Sequence, residues 1–577
     1  MHEFKVWGPR AQSLAVTIGE RSYPLRCIDR GWWTGGVPDA GPNTKYSFVL
    51  NQGQPVPDPR SQFQPHGVNG PSQIIDHTKF PWTDRLWQAK PLGSAIIYEL
   101  HIGTFTPEGT FRAALDRVDY LADLGVTHVE LMPVNEFSGD WGWGYDGVDI
   151  YAPHHCYGSP DELKTFVNAC HEKGVAVLLD VVYNHFGPSG NYLDQFAPYF
   201  TSAYQTPWGP AVNFDHSGSF EVRRFFIDNA LMWLRDYHFD GLRLDAIHAY
   251  YDRSALPFLE ELSTEVDSLS SELGRHLVLI AESDLNDPRV VTVRECGGLG
   301  IQAQWSDDFH HALHSALTGE TNGYYEDFGT LTELAKALQH AFVYAGDFSR
   351  HRNRIHGRPV DGLSGHHFLG YAQTHDQVGN RAQGERLCHL LSLGRAKIAA
   401  ALVLTSPFVP MLFQGEEFAS SSPFQYFTNH DPDLGRKVSE GRRNEFKAFG
   451  WSPEEVPDPQ DPQTFQRSKL CWDELTRQPH SDMHEWYKRL IAFRRLNPSL
   501  VNGRMREVEV RCDENAKWMV VKRQCVQLVC NLSPQTQTVP VTYDSESVLA
   551  SDLNFHLRTG AIEIGPDTVV VLDSQHS

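Results

Sequence analysis

The nine residues from Asp240 to His248, in the order Asp-Gly-Leu-Arg-Leu-Asp-Ala-Ile-His, hold the densest chemistry in the chain. Leu242 and Leu244 alternate with Arg243 and Asp245, so a strand here turns its apolar pair one way and its charged pair the other. A carboxylate two residues from a guanidinium is expected to stay ionised at neutral pH, because the nearby cation favours the charged form. Ionised and poorly hydrated, Asp245 can act as a nucleophile. Taken alone, the stretch fits a structural ion pair in a sheet better.

The flanking elements change that balance. From residue 96 onward, short apolar runs alternate with longer amphipathic ones. The apolar runs cover 95–100, 127–132, 175–181, 241–245, 276–281, 300–305, 369–374 and 408–413. Helices are predicted over 111–124, 159–173, 220–237, 254–273, 311–318, 332–344, 385–405 and 483–496, with Ser159 and Glu162 forming a capping box. Eight β-runs with helices between them predict an α/β fold, a (β/α)8 barrel. Short runs at 4–7, 13–18 and 46–50 among Gly- and Pro-rich turns predict an N-terminal β-sandwich over 1–90. Alternating runs at 518–522, 527–531 and 569–572 predict a C-terminal β-sandwich over 498–577. The barrel then occupies 91–497, with a long Pro-, Asp- and Arg-rich insertion over 416–480 after its eighth strand. Trp32 and Trp33 read as core or interdomain residues rather than a sugar platform.

Barrels of this kind react at the C-terminal ends of their strands. There the third run ends in Asp180 and His185, and the fourth in Arg243, Asp245 and His248. The fifth ends in Glu282, the sixth in Asp307, Asp308 and His311, and the seventh in His375, Asp376 and Gln377. Five successive strands ending in acid, amide or imidazole groups are hard to explain by packing, since converging charges destabilise unless they are used.

With 50 Lys+Arg against 72 Asp+Glu, the net charge of -22 argues against nucleic acid and anionic membrane as partners. The start lacks a basic segment followed by an apolar core, and no apolar run reaches spanning length, so a cytoplasmic protein is expected. The nine cysteines are scattered, without a Cys-x-x-Cys pair or a histidine at metal-ligand spacing, and reduced thiols are expected. No acidic cluster has calcium-like spacing, so neither metal nor cofactor is expected. His154 and His155 read as structural.

The segments 180–185 and 241–248, Glu282 with its apolar lead-in, and the pair His375-Asp376 resemble the four sequence regions of the α-amylase family of glycoside hydrolases, in order and spacing, across roughly 96–496. The resemblance implies retaining cleavage of α-glucosidic bonds. It makes Asp245 the nucleophile, Glu282 the general acid/base and Asp376 the acid that orients the sugar. It also places Arg243, His185 and His375 around the reacting sugar, Asp180 as a brace for Arg243, and Tyr145 under the sugar ring. Those roles suit the chemistry, since neighbouring carboxylates would raise the Glu282 pKa and keep it protonated. A retaining pair stands about 5–5.5 Å apart. Two residues depart from the family pattern: Trp143 where many amylases carry histidine, and Thr374 where asparagine is usual.

Three further stretches, 132–148, 377–381 and 423–446, resemble the maltooligosyltrehalose trehalohydrolases. That resemblance implies release of trehalose from maltooligosyl-trehalose at the adjoining α-1,4 bond, downstream of an enzyme that forms this substrate. For the leaving-group side the candidate contacts are Asp307, Asp308, His311, Gln377 and Asn380, with Phe424, Tyr426 and Phe427 walling the cleft and the string 141–146 as an exposed aromatic platform. A glycogen-branching or debranching enzyme is the nearest alternative, and a non-catalytic glucan-binding protein the remote one.

Overall fold

In the computed structural model, which describes residues 1–447, 451–541 and 546–573, eight parallel strands close into a barrel. They are β1 (Ile97–Leu100), β2 (His128–Leu131), β3 (Ala176–Val181), β4 (Gly241–Leu244), β5 (Val278–Ala281), β6 (Ala303–Trp305), β7 (Phe368–Gly370) and β8 (Val409–Phe413). Each pairs with the next in sequence, and β8 returns to β1. The strands are buried on both faces, which is why they read as short apolar runs.

Period two sorts the side chains. Ile97, Leu178, Val278, Ile280, Trp305, Tyr371 and Met411 pack together inside the barrel, whereas Val129, Leu179, Leu242 and Leu244 belong to the layer under the helices. Arg243, between Leu242 and Leu244, therefore turns inward, as the alternation predicts. Register places Arg243 of β4 beside Asp180 of β3, and Glu130 of β2 beside Glu99 of β1.

The helices depart from expectation where a local group breaks the run. The predicted 111–124 helix divides into Phe111–Leu115 and Val118–Leu124. The predicted 385–405 helix yields Leu387–Leu390, then restarts as Leu393–Thr405, where the Ser392 side chain accepts from Arg395 N–H. Helix Phe258–Leu273 begins only after Pro257, later than predicted. The segment after β8 contains helices Pro432–Lys447 and Pro462–Arg467. Between β3 and helix Ser219–Asp236 stands an unpredicted hairpin of Phe200–Thr206 and Gly209–Val212.

Before the barrel, a three-stranded and a five-stranded antiparallel sheet pack through Phe4 and Phe48. Trp33 is buried and donates to Gly8 O at 3.0 Å, and the Arg60 guanidinium lies 5.7 Å from the Trp32 ring centroid. After the barrel, a five-stranded and a three-stranded sheet enclose Val520, Val529, Val539, Ile562 and Val570. This unit is tied to helix Leu393–Thr405 by Arg395 Nε to Asp567 Oδ1 at 2.9 Å and by Arg523 Nη1 to the carbonyl of Thr405 at 3.1 Å. None of the nine cysteines is in a disulfide. No described helix is long and apolar enough to cross a membrane.

Candidate active site

The next inward position beyond Arg243 is Asp245, at the C-terminal end of β4, and the equivalent step beyond Ile280 on β5 is Glu282. Main-chain bonds continue the ladder past both strands: Asp245 N–H donates to Val181 O at 3.1 Å and Glu282 N–H to Leu244 O at 3.0 Å. Ala246 then adopts a left-handed conformation, φ 42°, which costs a non-glycine residue about 1–2 kcal/mol. This turn aims Ala246 N–H at Glu282 Oε2, 2.5 Å away.

Arg243 has no solvent exposure. Its Nη1 donates to Asp180 Oδ1 at 2.9 Å, to Asp180 Oδ2 at 2.8 Å and to Asp245 Oδ1 at 2.7 Å. Nη2 lies 3.8 Å from Glu282 Oε2, and the guanidinium carbon stands 4.3 Å from the Trp305 ring centroid. The Asp245 and Glu282 side chains are 12% and 16% exposed, so neither carboxyl is fully enclosed. Burial lifts Glu282 well above the carboxylate range, and Asp245, Asp307 and Asp376 add to it against the opposing Arg243. Burial also pushes Asp180 up to about 6, opposed by the guanidinium.

Asp376 enters from a short helix, His375–Gly379, capped by Thr374. The Thr374 hydroxyl accepts from Asp376 N–H at 3.2 Å, and Gln377 Oε1 accepts in return from Thr374 N–H at 2.9 Å. Thr374 thus fills the cap position where the family pattern has asparagine. Behind Asp376, His375 Nδ1 meets Glu99, and Nε2 lies 2.8 Å from Tyr145 Oη and 3.5 Å from Asp376 Oδ1. Burial disfavours the charged His375 ring, yet Asp376 and Glu99 push it up to about 9. Tyr145 Oη donates to Asp180 Oδ2 at 2.6 Å. One polar chain therefore runs Glu99–His375–Tyr145–Asp180–Arg243–Asp245. His185 is buried, its pKa lowered by burial, and its ring stacks on Trp208 of the hairpin with centroids 4.6 Å apart.

Several predicted contacts stand elsewhere. Asp308 turns away from the cleft and accepts from Val343 N–H at 2.7 Å, Tyr344 N–H at 2.9 Å and Asn286 Nδ2 at 2.9 Å, so its carboxylate is committed to packing. Its neighbour Asp307 accepts from Tyr371 Oη and is pushed up to about 6 by burial. The two differ because both lie in the first turn of helix Asp307–Thr318, where adjacent side chains point in different directions. His311 is enclosed by the Tyr324, Tyr325 and Phe328 rings, and burial pushes it down to about 3. His248 is exposed and lines a groove with Tyr250 and Leu285. Asn380 Nδ2 lies 3.4 Å from Asp376 Oδ1 and lines a second groove with Tyr324 and Trp451.

Phe424 and Phe427 are fully buried, not cleft walls, while Tyr426 is partly exposed. Trp143 is buried too, stacked on Phe424 and edge-on to His375, so it backs the site instead of presenting an open platform. His154, His155 and Cys156 form a cluster of possible metal ligands, which their adjacency in sequence concealed. The sequence reading missed Glu99, Glu130, Trp208 and Trp305 as well. For Glu99 the signal was available: an acid at the inward position of an otherwise uncharged strand.

Residues 76–208 match the alpha amylase catalytic-domain family, and residues 503–571 match a domain family of unknown function. The chain is 45% identical to the malto-oligosyltrehalose trehalohydrolase of a Rhizobium species, covering 99% of this chain and 97% of that protein. It is 48% identical to the enzyme of that name from Arthrobacter ramosus, covering 93% and 94%. The corresponding figures for Saccharolobus solfataricus are 42%, 96% and 94%. A crystal structure from Salmonella typhimurium, assigned as an alpha amylase, superposes with a TM-score of 0.92 at 38% identity, covering 99% and 97%. An Anoxybacillus pullulanase shares the fold at a TM-score of 0.74 and 19% identity, covering 99% of this chain and 86% of its own. Near-full-length identity of this order, on a barrel whose acids meet one buried guanidinium, means that the chain belongs to the malto-oligosyltrehalose trehalohydrolases of the α-amylase family.

Proposed function

We propose that the protein releases trehalose from the end of maltooligosyl-trehalose by retaining hydrolysis of the adjoining α-1,4-glucosidic bond. In this reading Asp245 attacks the anomeric carbon while Glu282 gives its proton to the departing trehalose oxygen. The carbon–oxygen bond breaks, and a covalent maltooligosyl–Asp245 ester forms. Glu282, now a carboxylate, takes a proton from water, whose oxygen attacks the same carbon and frees Asp245. Asp376 orients the sugar, held by the His375 side of the polar chain, and Tyr145, His185, Arg243 and Asp180 line or brace the reacting subsite. Asp307 and Asn380, with the amide nitrogen of Gln377, serve the leaving-group side.

The observation that carries the assignment is the single guanidinium of Arg243, within reach of both Asp245 and Glu282 while burial keeps Glu282 high in pKa. Two carboxylates in unequal surroundings are what an acid and a nucleophile require. The trehalose specificity rests on the full-length relatives. The substrate implies an upstream enzyme that builds a trehalose-ended glucan, and the site would act on α-glucan, not on nucleic acid or membrane.

Chromatography of products from maltotriosyl-trehalose is the test. Free trehalose and maltotriose are expected, and Glu282→Gln should retain binding while losing about 10²–10⁴ in turnover. Altered iodine staining of amylose without trehalose release would point to branching chemistry instead.

A further inference from the structure

Outside the barrel mouth, strands Asn135–Phe137 and Gly147–Pro153 pair antiparallel and frame the loop that carries Trp143 and Tyr145. The chain leaving the second strand passes through His154, His155 and Cys156. One ring nitrogen of each histidine and the Cys156 Sγ all lie within 4.8 Å of one another. Cys156 Sγ is 3.4 Å from His155 Nε2 and 3.8 Å from Asp140 Oδ1. Both rings turn Nδ1 toward Glu136 Oε1, at 2.9 Å for His155 and 3.4 Å for His154, and Glu136 is wholly buried. His154 has no exposure, and neither of its ring nitrogens has a hydrogen-bond partner among the described residues. A buried polar atom left unsatisfied costs about 1–3 kcal/mol, a cost that a purely structural histidine avoids by donating to a carbonyl.

We propose that His154, His155 and Cys156 bind a zinc-class divalent cation, with Asp140 as the fourth ligand and Glu136 orienting both imidazoles from behind. One thiolate, two imidazoles and a carboxylate suit zinc, whereas calcium and magnesium take oxygen ligands. A carboxylate behind a ligating histidine fixes its tautomer and direction. Bonds of about 2.0–2.3 Å require tetrahedral ligand atoms about 3.3–3.8 Å apart. The Cys156–His155 pair is already in that range at 3.4 Å, and the three ligand atoms, all within 4.8 Å of one another, need to draw together by at most about 1 Å on binding. Bound metal would tie Asp140, at the start of the Tyr145 loop, to the segment that follows the loop's returning strand. It is structural, not part of the hydrolytic step.

Cobalt(II), which has zinc-like geometry and visible spectra, is titrated into chelator-treated full-length protein. One equivalent should bind with tetrahedral bands and a thiolate-to-cobalt charge-transfer band, and zinc should displace it. Cys156→Ala should abolish the charge-transfer band and weaken binding at least tenfold; Glu136→Gln should weaken it about 10–100-fold. Mass mapping of alkylation on the unmutated protein gives an independent readout. Zinc should protect Cys156 while the exposed Cys27, Cys296 and Cys471 stay reactive. A charge-transfer band that survives Cys156→Ala, the absence of any such band, or equal Cys156 alkylation with and without zinc overturns the proposal.

Discussion

Asp307→Asn removes one charge from the surroundings of Glu282 and leaves shape almost unchanged. Glu282 is raised first by burial, then by Asp245, Asp307 and Asp376, against Arg243. Asparagine can still accept from Tyr371 Oη. One of several like charges removed beside a buried acid lowers its pKa by roughly half to one pH unit. The alkaline limb of the kcat/KM profile reports loss of the proton from that acid, so it should move down by the same amount. Stability supplies a second readout. Asp307 is at about 6 in the folded chain against an ordinary 3.8. The folded state therefore binds more protons than the unfolded one between those values, and stability falls as pH rises through that window. Roughly two pH units correspond to about 3 kcal/mol as an upper bound at neutral pH and above. The variant, blind to this titration, should melt about 1–3 °C higher than the parent at pH 8, and the gap should close below pH 4. Initial rates across pH and calorimetry at both pH values check the two effects. An alkaline limb that stays fixed or moves up refutes the electrostatic account of Glu282, and a melting gap that ignores pH refutes the titration assigned to Asp307.

The remaining expectations separate packing from chemistry. Asp308→Ala leaves Val343 N–H, Tyr344 N–H and Asn286 Nδ2 without their acceptor; it should lose about 3 kcal/mol of stability in denaturant titration with KM unchanged. Tyr145→Phe cuts the link between His375 and Asp180 and should lower kcat/KM about 10–100-fold, one charge-assisted bond's worth, with little change in melting temperature. Arg243→Met strands Asp180, Asp245 and Glu282 without a counter-charge and should cost about 3–5 kcal/mol, visible as a lower melting temperature and weakened near-UV circular dichroism.

How far the sequence was legible depended on what kind of signal each residue offered. Arg243 and Asp245 were readable because strand periodicity alone decides their face, and the register that sets Asp180 beside Arg243 follows from consecutive parallel strands. Asp307 and Asp308 were not separable, because two adjacent acids opening a helix differ only in azimuth, and that is set by what the helix packs on. Phe424 and Phe427 lie in an insertion whose packing has no period to read, so their burial under Trp143 was invisible. The break at Leu391 was legible in principle, since Ser392 is a good N-cap, but the apolar residues on both sides suggested continuity. The cluster of His154, His155 and Cys156 fits no spaced-ligand pattern, since consecutive residues converge only where the backbone turns.

The barrel interior divides by polarity, and that division accounts for the unequal pair. Strands β1 to β4 turn the charged Glu99, Glu130, Asp180 and Arg243 inward beside Ile97 and Leu178, while β5 to β8 turn in uncharged residues such as Ile280, Trp305, Tyr371 and Met411. Asp245 continues the polar side, with Arg243 Nη1 at 2.7 Å. Glu282 continues the apolar side, above Ile280 on its own strand, and meets the guanidinium only at 3.8 Å. A buried cation among carboxylates is seldom more stable than apolar packing of the same volume, so stability alone gives no reason for the polar half. Its consequence is chemical: one side sets Asp245 against a cation, and the other holds a Glu282 carboxyl whose pKa burial raises. Filling the apolar side with charge, as in Ile280→Glu, should depress activity by disturbing Glu282 even where the barrel still closes. A folded Ile280→Glu variant with an unchanged pH–rate profile would show that the division plays no part in setting the acid.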